Sequence, residues 1–219
     1  MSFVNFSDCT LENCNFFGGT FTECDFWRAT LTNCRFESGT LFKCSFYNSI
    51  LTECNFFNAT LTDCSFDGKL LKCVFTNVPL TDCYLGGELI KCNFSCGDFI
   101  ECSFRGGALT ECNFDGRRFV KCDLENGTLT KCTFNKLGSR LTKCSFKRGT
   151  LTECDFIGAE LIECDFWDRK LTKCNFERGE LSKCSFWGST LNKCSFKDVI
   201  LTDCDTENIT LIDTVLPKK

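Results

Sequence analysis

The hydrophobic and polar positions of this chain repeat every five residues. Two consecutive pentads form a ten-residue unit: Leu, Thr, a charged residue, Cys, any residue and Phe, then four variable residues. The segments LTECNFFNAT (51–60), LTECDFIGAE (151–160) and LTKCNFERGE (171–180) show the unit clearly. One pentad has Cys two residues before Phe, and the other has a small residue two residues before Leu. Internal repetition of this kind is typical of solenoids.

We call the Phe or Leu of each pentad its centre. Centres occur at every fifth residue from Phe6 to Phe66, continue from Leu70 and from Leu89 after one-residue deletions, and resume at Leu141 after a two-residue insertion. The repeat therefore covers nearly the whole chain in about 43 pentads, which predicts a single domain over residues 1–219.

The period of five predicts extended structure. Side chains alternate between the two faces of an extended chain, so a centre and the residue two before it point the same way, while the other three, mostly polar positions face water. A five-residue period drifts around an α-helix and leaves no apolar stripe. Because a pentad is too short for a full turn of a solenoid, each one is predicted to form one side of a rung.

The stretches ATLTN (29–33), ATLTD (59–63), GTLTE (149–153) and CNFFN (54–58) resemble the A(D/N)LXX motif of the pentapeptide repeat family. This resemblance implies four pentads per rung, a square cross-section and right-handed coiling. The expected fold is an all-β, right-handed, four-sided parallel β-helix of about ten to eleven rungs, roughly 50 Å long at a strand spacing of about 4.8 Å.

Rungs of about twenty residues stack the cysteines in two columns on opposite sides of the rod. Every deletion and insertion leaves these columns in phase, and the charges next to them partly alternate in sign from rung to rung. The first column contains Cys14, Cys34, Cys54, Cys73, Cys92, Cys112, Cys132, Cys154, Cys174 and Cys194. The second contains Cys24, Cys44, Cys64, Cys83, Cys102, Cys122, Cys144, Cys164, Cys184 and Cys204.

The composition favours inert, reduced thiols in a cytoplasmic protein. The chain has 22 Cys, no His and a net charge of −4, and its N-terminus lacks the pattern of a secretion signal. Stacked, parallel Cys side chains do not converge as a disulfide requires, so we expect packing rather than a disulfide framework. A soft-metal site in the thiol columns is the alternative, but no pair has CxxC spacing and no His assists, so we expect no metal and no cofactor.

Several residues depart from the pattern. Cys96 occupies an outward position, which predicts an exposed thiol that is either reactive or without a role. Outward aromatic residues mark candidate partner contacts at Trp27 with Tyr47 and at Trp167 with Trp187, although ladder stacking alone would also explain them. Arg117 and Arg169 occupy inward positions and are expected to bend outward, and residues 135–140 are expected to bulge as a loop.

These features favour a non-catalytic solenoid scaffold that binds an unknown protein partner, because a filled rod offers no concave active site. We expect no direct nucleic-acid binding and no membrane segment, and either a monomer or an end-to-end homodimer. The family resemblance implies one alternative, a DNA-mimicking modulator of DNA gyrase or another type II topoisomerase. Residues 1–66 are acidic, with seven Asp/Glu against three Lys/Arg, but the remainder is balanced at 22 each.

Overall fold

The computed structural model describes residues 1–116, 118–135 and 139–217, and all regular elements in these ranges are short parallel strands. The strands alternate between two sheets along the chain. One sheet has eleven strands: β1 (Thr10–Glu12), β3 (Thr30–Thr32), β5 (Ile50–Thr52), β7 (Lys69–Leu71), β9 (Glu88–Ile90), β11 (Ala108–Thr110), β13 (Thr128–Thr130), β15 (Thr150–Thr152), β17 (Lys170–Thr172), β19 (Thr190–Asn192) and β21 (Thr210–Ile212). The other has ten: β2 (Thr20–Thr22), β4 (Thr40–Phe42), β6 (Thr60–Thr62), β8 (Leu80–Thr81), β10 (Phe99–Ile100), β12 (Arg118–Val120), β14 (Arg140–Thr142), β16 (Glu160–Ile162), β18 (Glu180–Ser182) and β20 (Ile200–Thr202).

Two further sides complete each rung. They are columns of single parallel bridges, such as Asn5 to Asp25 and Asn15 to Arg35, which again step by one rung. In chain order, the first side begins with the centre Phe6, the second with Leu11, the third with Phe16 and the fourth with Phe21. The predicted four-sided parallel solenoid of ten to eleven rungs is confirmed.

The deletions and the insertion preserve the register of the rungs. Leu51 pairs with Leu70 and Leu70 with Leu89 across the deletions, and Leu129 pairs with Leu151 across the insertion. At the first deletion the backbone is drawn in so far that a Cβ on Gly68 would lie 2.2 Å from the carbonyl oxygen of Ser49, so only glycine fits there. The two deletions are absorbed at corners, and the register of the strands on either side of the insertion is kept.

Phenylalanine rings fill the bore. The third side holds an unbroken stack of ten buried or partly buried rings, with neighbouring centroids 4.7 to 5.1 Å apart. Rings of the first side meet this stack edge to face, as Phe46 does with Phe36 at 6.1 Å. Burial contributes about 1.5–3 kcal/mol for each such side chain before entropy is subtracted, so the core stabilises every rung.

The corners show a feature that the sequence analysis missed. The residue two after a centre generally adopts the left-handed conformation, even where it is charged: φ is 54° at Glu53, Lys72 and Lys91. This conformation costs about 1–2 kcal/mol for a residue with a Cβ. Hydrogen bonds to the next rung offset the cost, since the amide of Glu53 donates to Leu71 O at 2.9 Å and that of Lys72 to Ile90 O at 2.8 Å.

The expectation that Arg169 bends outward is wrong, because its side chain is completely buried. Its guanidinium extends along the bore past the two preceding rungs and donates only to backbone carbonyls. The acceptors include Leu124 (3.1 Å), Phe146 (2.8 Å), Gly127 (3.0 Å) and Thr150 (3.1 Å). Burial lowers the pKa of Arg169 to about 10, so the side chain stays charged at neutral pH.

The carbonyls that Arg169 binds explain why the charge is tolerated. Leu124 and Phe146 are centres of the first side, and in other rungs the centre carbonyl accepts the amide of the following turn, as Phe104 O does from Gly107 at 3.0 Å. Two of the rungs that the guanidinium passes have glycine at the corner, and a Cβ on Gly149 would lie 2.4 Å from Gly127 O. Multiple hydrogen bonds to a charged donor compensate its desolvation.

Two other expectations concern residues that the structure does not describe, or describes only in part. Arg117 lies outside the described ranges. The predicted loop over 135–140 is described only at its ends, where Ser139 Oγ donates to Asn135 O at 3.1 Å and accepts from the amide of Gly116 at 2.8 Å.

The adjacent residues Phe56 and Phe57 provide a matched test of the inward and outward positions. Phe56 is fully buried and Phe57 is 42% exposed. We expect Phe56→Ala to lower the free energy of unfolding by about 3–5 kcal/mol, since it leaves a cavity between stacked rings. We expect Phe57→Ala to change it by less than about 1 kcal/mol. Urea unfolding followed by circular dichroism measures both, and equal losses would contradict the assigned bore.

Candidate functional site

The outward aromatic residues predicted as partner contacts all lie on the first side of the rod, in two groups. Trp27 (37% exposed) and Tyr47 (45% exposed) lie one rung apart near the N-terminal end. The backbone amide of Trp27 donates to Asp25 Oδ1 at 2.9 Å, and the Arg28 guanidinium lies 4.9 Å from the indole centroid. These contacts fix the indole at the surface rather than in the bore.

The second group, Trp167 and Trp187, lies toward the other end of the same side. The two indoles stack with centroids 5.9 Å apart, and the Arg148 guanidinium lies 5.1 Å from the Trp167 centroid. Trp167 is therefore covered on both faces and is half-buried, whereas Trp187 is 38% exposed. Whether either group contacts a partner stays a prediction.

Tyr84 is a surface aromatic residue that the sequence analysis missed. It lies on the first side, two rungs beyond Tyr47, and is 37% exposed. Tyr84 precedes its centre Leu85, whereas the aromatic residues predicted as partner contacts all follow their centres. Tyr84 forms a bridge with Ser65, which occupies the same position in the preceding rung. Aligning the pentads of the sequence by position would therefore have identified Tyr84 as an outward residue of the first side.

Cys96 lies outside the bore, at a corner of the third side. It adopts the left-handed conformation (φ 66°), is half-buried, and its amide donates to Asp115 O at 3.2 Å. Cys96 was predicted as an exposed thiol and lies outside the bore, half-buried; the reactivity of its thiol stays a prediction.

The two predicted cysteine columns are present, and their thiols are free. Each thiol from Cys34 onward donates to a carbonyl of its own rung and to one of the preceding rung; for Cys54 these are Thr52 O (3.6 Å) and Leu31 O (3.5 Å). Burial raises the pKa of Cys34 to about 11 and also raises that of Cys164. Because the thiolate is the nucleophile, such thiols are unreactive at neutral pH.

Ion pairs follow the corner columns from rung to rung, as the partly alternating charges predicted. Lys72 contacts Glu53 at 3.0 Å and Lys173 contacts Glu153 at 3.0 Å on one corner; Lys121 contacts Glu101 at 2.8 Å on the diagonal corner. All are exposed, so each contributes at most about 1 kcal/mol.

A surface depression of about 210 Å³ on the fourth side is lined by Glu160, Ile162, Glu180 and Ile200 among others. Glu160 is paired with Arg140, whose Nε lies 2.7 Å from its carboxylate. Within residues 1–116, 118–135 and 139–217, no three Cys, Asp or Glu side chains are arranged to hold a metal ion, and no helix is long and apolar enough to span a membrane.

The family model "Pentapeptide repeats" matches the chain in eight copies over residues 1–37, 98–135, 139–178 and 170–205. No protein of curated function matches by sequence.

Among solved structures, the chain is similar to HetL, a pentapeptide repeat protein involved in heterocyst differentiation regulation in the cyanobacterium Nostoc sp. strain PCC 7120 (16% identity, 99% of this chain and 93% of that one, TM-score 0.38). It is also similar to QnrB1, a plasmid-mediated fluoroquinolone resistance protein (18%, 100% and 94%, TM-score 0.43). A third similar structure is the A-module of mannuronan C-5 epimerase AlgE4 from Azotobacter vinelandii (11%, 100% and 78%, TM-score 0.33).

The buried thiols are expected to make the folded state less stable at alkaline pH. A thiol ionises near pH 9.0 in the unfolded chain, but Cys34 stays protonated to about pH 11 in the folded one. The folded state then holds more protons between these values, so its stability is complete below pH 9 and is lost as the pH rises toward 11. We expect a loss of about 1.4 kcal/mol per pH unit for each such thiol.

Urea midpoints measured under reducing conditions at pH 7, 9 and 10 test this expectation. Between pH 7 and 8 the midpoint should change little, since the chain has no His. A midpoint that is unchanged at pH 10 would show that the thiols are not protected in the bore.

Proposed function

Because the chain belongs to the pentapeptide repeat family, we propose that it is a non-catalytic scaffold whose outer surface binds a protein partner. The observation that supports this proposal is that the column thiols lie in the bore, whereas several aromatic side chains lie at the surface. The thiols of the two columns from Cys24 onward are buried and hydrogen-bonded to carbonyls, while aromatic side chains such as Trp27 and Tyr47 lie at the surface. Exposed aromatic residues are typical anchors of protein interfaces.

We also propose a cytoplasmic location. The cysteines of the two columns are free, and large numbers of free thiols persist in reducing compartments. Whether the rod acts alone or as an end-to-end homodimer is decided by light scattering coupled to size-exclusion chromatography.

The second candidate is modulation of a type II topoisomerase by imitation of DNA. Its support is the acidic excess of residues 1–66. The charge pattern limits this support: Glu101 is neutralised by Lys121 in a later rung, and Lys43 lies between Glu23 and Asp63 in the corner column of the N-terminal rungs, so the row of negative charge is interrupted.

A four-sided cross-linking experiment tests the scaffold function. Tyr47, Thr52, Phe57 and Thr62 lie at outward positions on the first, second, third and fourth sides at nearly the same height. Each is replaced in turn by a photo-crosslinking phenylalanine in the native cells. We expect one side to capture one discrete protein and the other three to serve as its controls. Capture from no side, or equal capture from all four, would contradict the proposal.

A supercoiling assay tests the second candidate. A topoisomerase modulator should inhibit gyrase or relieve its inhibition by a fluoroquinolone when the protein is added at micromolar concentration. A heat-unfolded sample of the same chain is the control. If the extent of supercoiling is unchanged both with gyrase alone and with gyrase inhibited by a fluoroquinolone, this function is excluded.

A further inference from the structure

The first side carries a continuous stack of three side chains toward its C-terminal end: the Arg148 guanidinium, the Trp167 indole and the Trp187 indole. We call it the C-terminal stack. The guanidinium lies 5.1 Å from the Trp167 centroid, and the indole centroids are 5.9 Å apart. Each member belongs to a different rung. A cation–π contact at the surface is weak, so it orders a long arginine side chain only where the backbone below is already in position.

The turn that carries Arg148 differs from a regular turn of this side. In a regular turn, the amide three residues after the centre donates to the centre carbonyl, as Ala29 does to Phe26 O at 3.0 Å. Among the hydrogen bonds of the described residues, none connects the amide of Gly149 to Phe146 O. Gly149 adopts the left-handed conformation (φ 81°), directly after a corner residue that also does so. This turn is therefore not closed by its own backbone.

The Arg169 side chain holds this turn from inside the bore. Its Nη1 donates to Phe146 O at 2.8 Å and to Arg148 O at 2.5 Å, and its Nη2 donates to Thr150 O at 3.1 Å. The same two nitrogens also donate to two carbonyls of the rung before. The backbone of Arg148 is therefore bound on the inside by one guanidinium, while its own guanidinium covers an indole on the outside.

The other arginine at this corner lacks such a contact. Arg28 occupies the same position in its rung as Arg148, and φ is 55° at both. Its turn is closed by its own amide, and Ser49 occupies the place that Arg169 has one rung after Arg148. The Arg28 guanidinium lies over Trp27 of its own rung, 4.9 Å from the centroid. Of the two arginines, the one whose turn is bound by a buried cation reaches the ring of the next rung.

From these contacts we propose that Arg169 is a positioning residue, a cation inside the bore that fixes the turn at 146–150 and so places the Arg148 guanidinium over Trp167. Without its donors, the carbonyls of the turn would lose their partners, the turn would rearrange, and the surface arginine would leave the ring. The C-terminal stack is thus formed before any partner arrives. This inference concerns the geometry of the surface and goes beyond the proposed scaffold function.

Quenching of Trp167 fluorescence by acrylamide tests the proposal. A background of Trp27→Phe with Trp187→Phe leaves Trp167 as the single indole and keeps an aromatic ring beside it. Arg148→Met uncovers one ring face and should raise the quenching constant about twofold. Arg169→Met should raise it by a similar factor, although Arg169 lies in the bore. The two substitutions together should have no greater effect than Arg148→Met alone, because both act through one contact.

Ser189→Ala is the matched control, because Ser189 follows position 187 by two residues, as Arg169 follows Trp167, and both are fully buried. The Ser189 hydroxyl donates to Phe166 O at 2.7 Å. Its removal deletes a hydrogen bond of the bore without releasing the turn at 146–150, so the quenching constant should change by less than about 1.2-fold.

Arg169→Lys keeps the charge but donates from a single nitrogen, and should give an intermediate quenching constant. It decides the proposal if Arg169→Met shows no cooperative urea transition and is therefore unfolded. A quenching constant no higher than that of Ser189→Ala in the folded Arg169 variants would overturn the proposal. Additive increases in the double variant would overturn it too, since the two arginines would then act separately. The measurement needs no partner, so it can fail while cross-linking succeeds, and the reverse.

Discussion

The backbone hydrogen bond between successive rungs is the interaction on which the rest of this structure depends. It fixes the rungs at the spacing of parallel strands and places each residue beside its counterpart in the next rung. Side chains that pack well against copies of themselves are therefore favoured inside. Phenylalanine does so by stacking, and cysteine does so because a small thiol also satisfies nearby carbonyls. On the outside the same register juxtaposes charges, so opposite signs are needed in adjacent rungs.

Much of the fold was predictable because its repeat is local. A period of five with two inward positions predicted the sides. The number of pentads per rung came from the resemblance to the pentapeptide repeat family, since the cysteines recur about every ten residues, which is half a rung. The left-handed corners were not predicted, because a charged residue such as Glu53 or Lys72 at that position indicates solubility as readily as a strained backbone. Its conformation is imposed by the hydrogen bonds of neighbouring rungs, which a single pentad does not contain.

Arg169 shows why the wrong expectation was physically reasonable. The cost of burying an unpaired cation favours an outward side chain, and that argument considers one pentad at a time. The carbonyls that bind the guanidinium belong to the two preceding rungs, so no single pentad reveals them. The surface was predictable in a similar, partial way. Trp27 and Tyr47 were identified from the pattern, but the position of Tyr84 on the same side, two rungs beyond Tyr47, appears only when the rungs are stacked.

The corners also make the length of this rod a variable that evolution can adjust. The repeat is one residue short at each of two corners and two residues longer between Phe134 and Leu141, yet Leu51, Leu70 and Leu89 are aligned, as are Leu129 and Leu151. Duplication or loss of a segment of about twenty residues would add or remove one rung without altering the packing of its neighbours. Such a molecule can serve as a ruler, in which the number of rungs sets the distance between two attachment points and the sequence of each rung is selected separately.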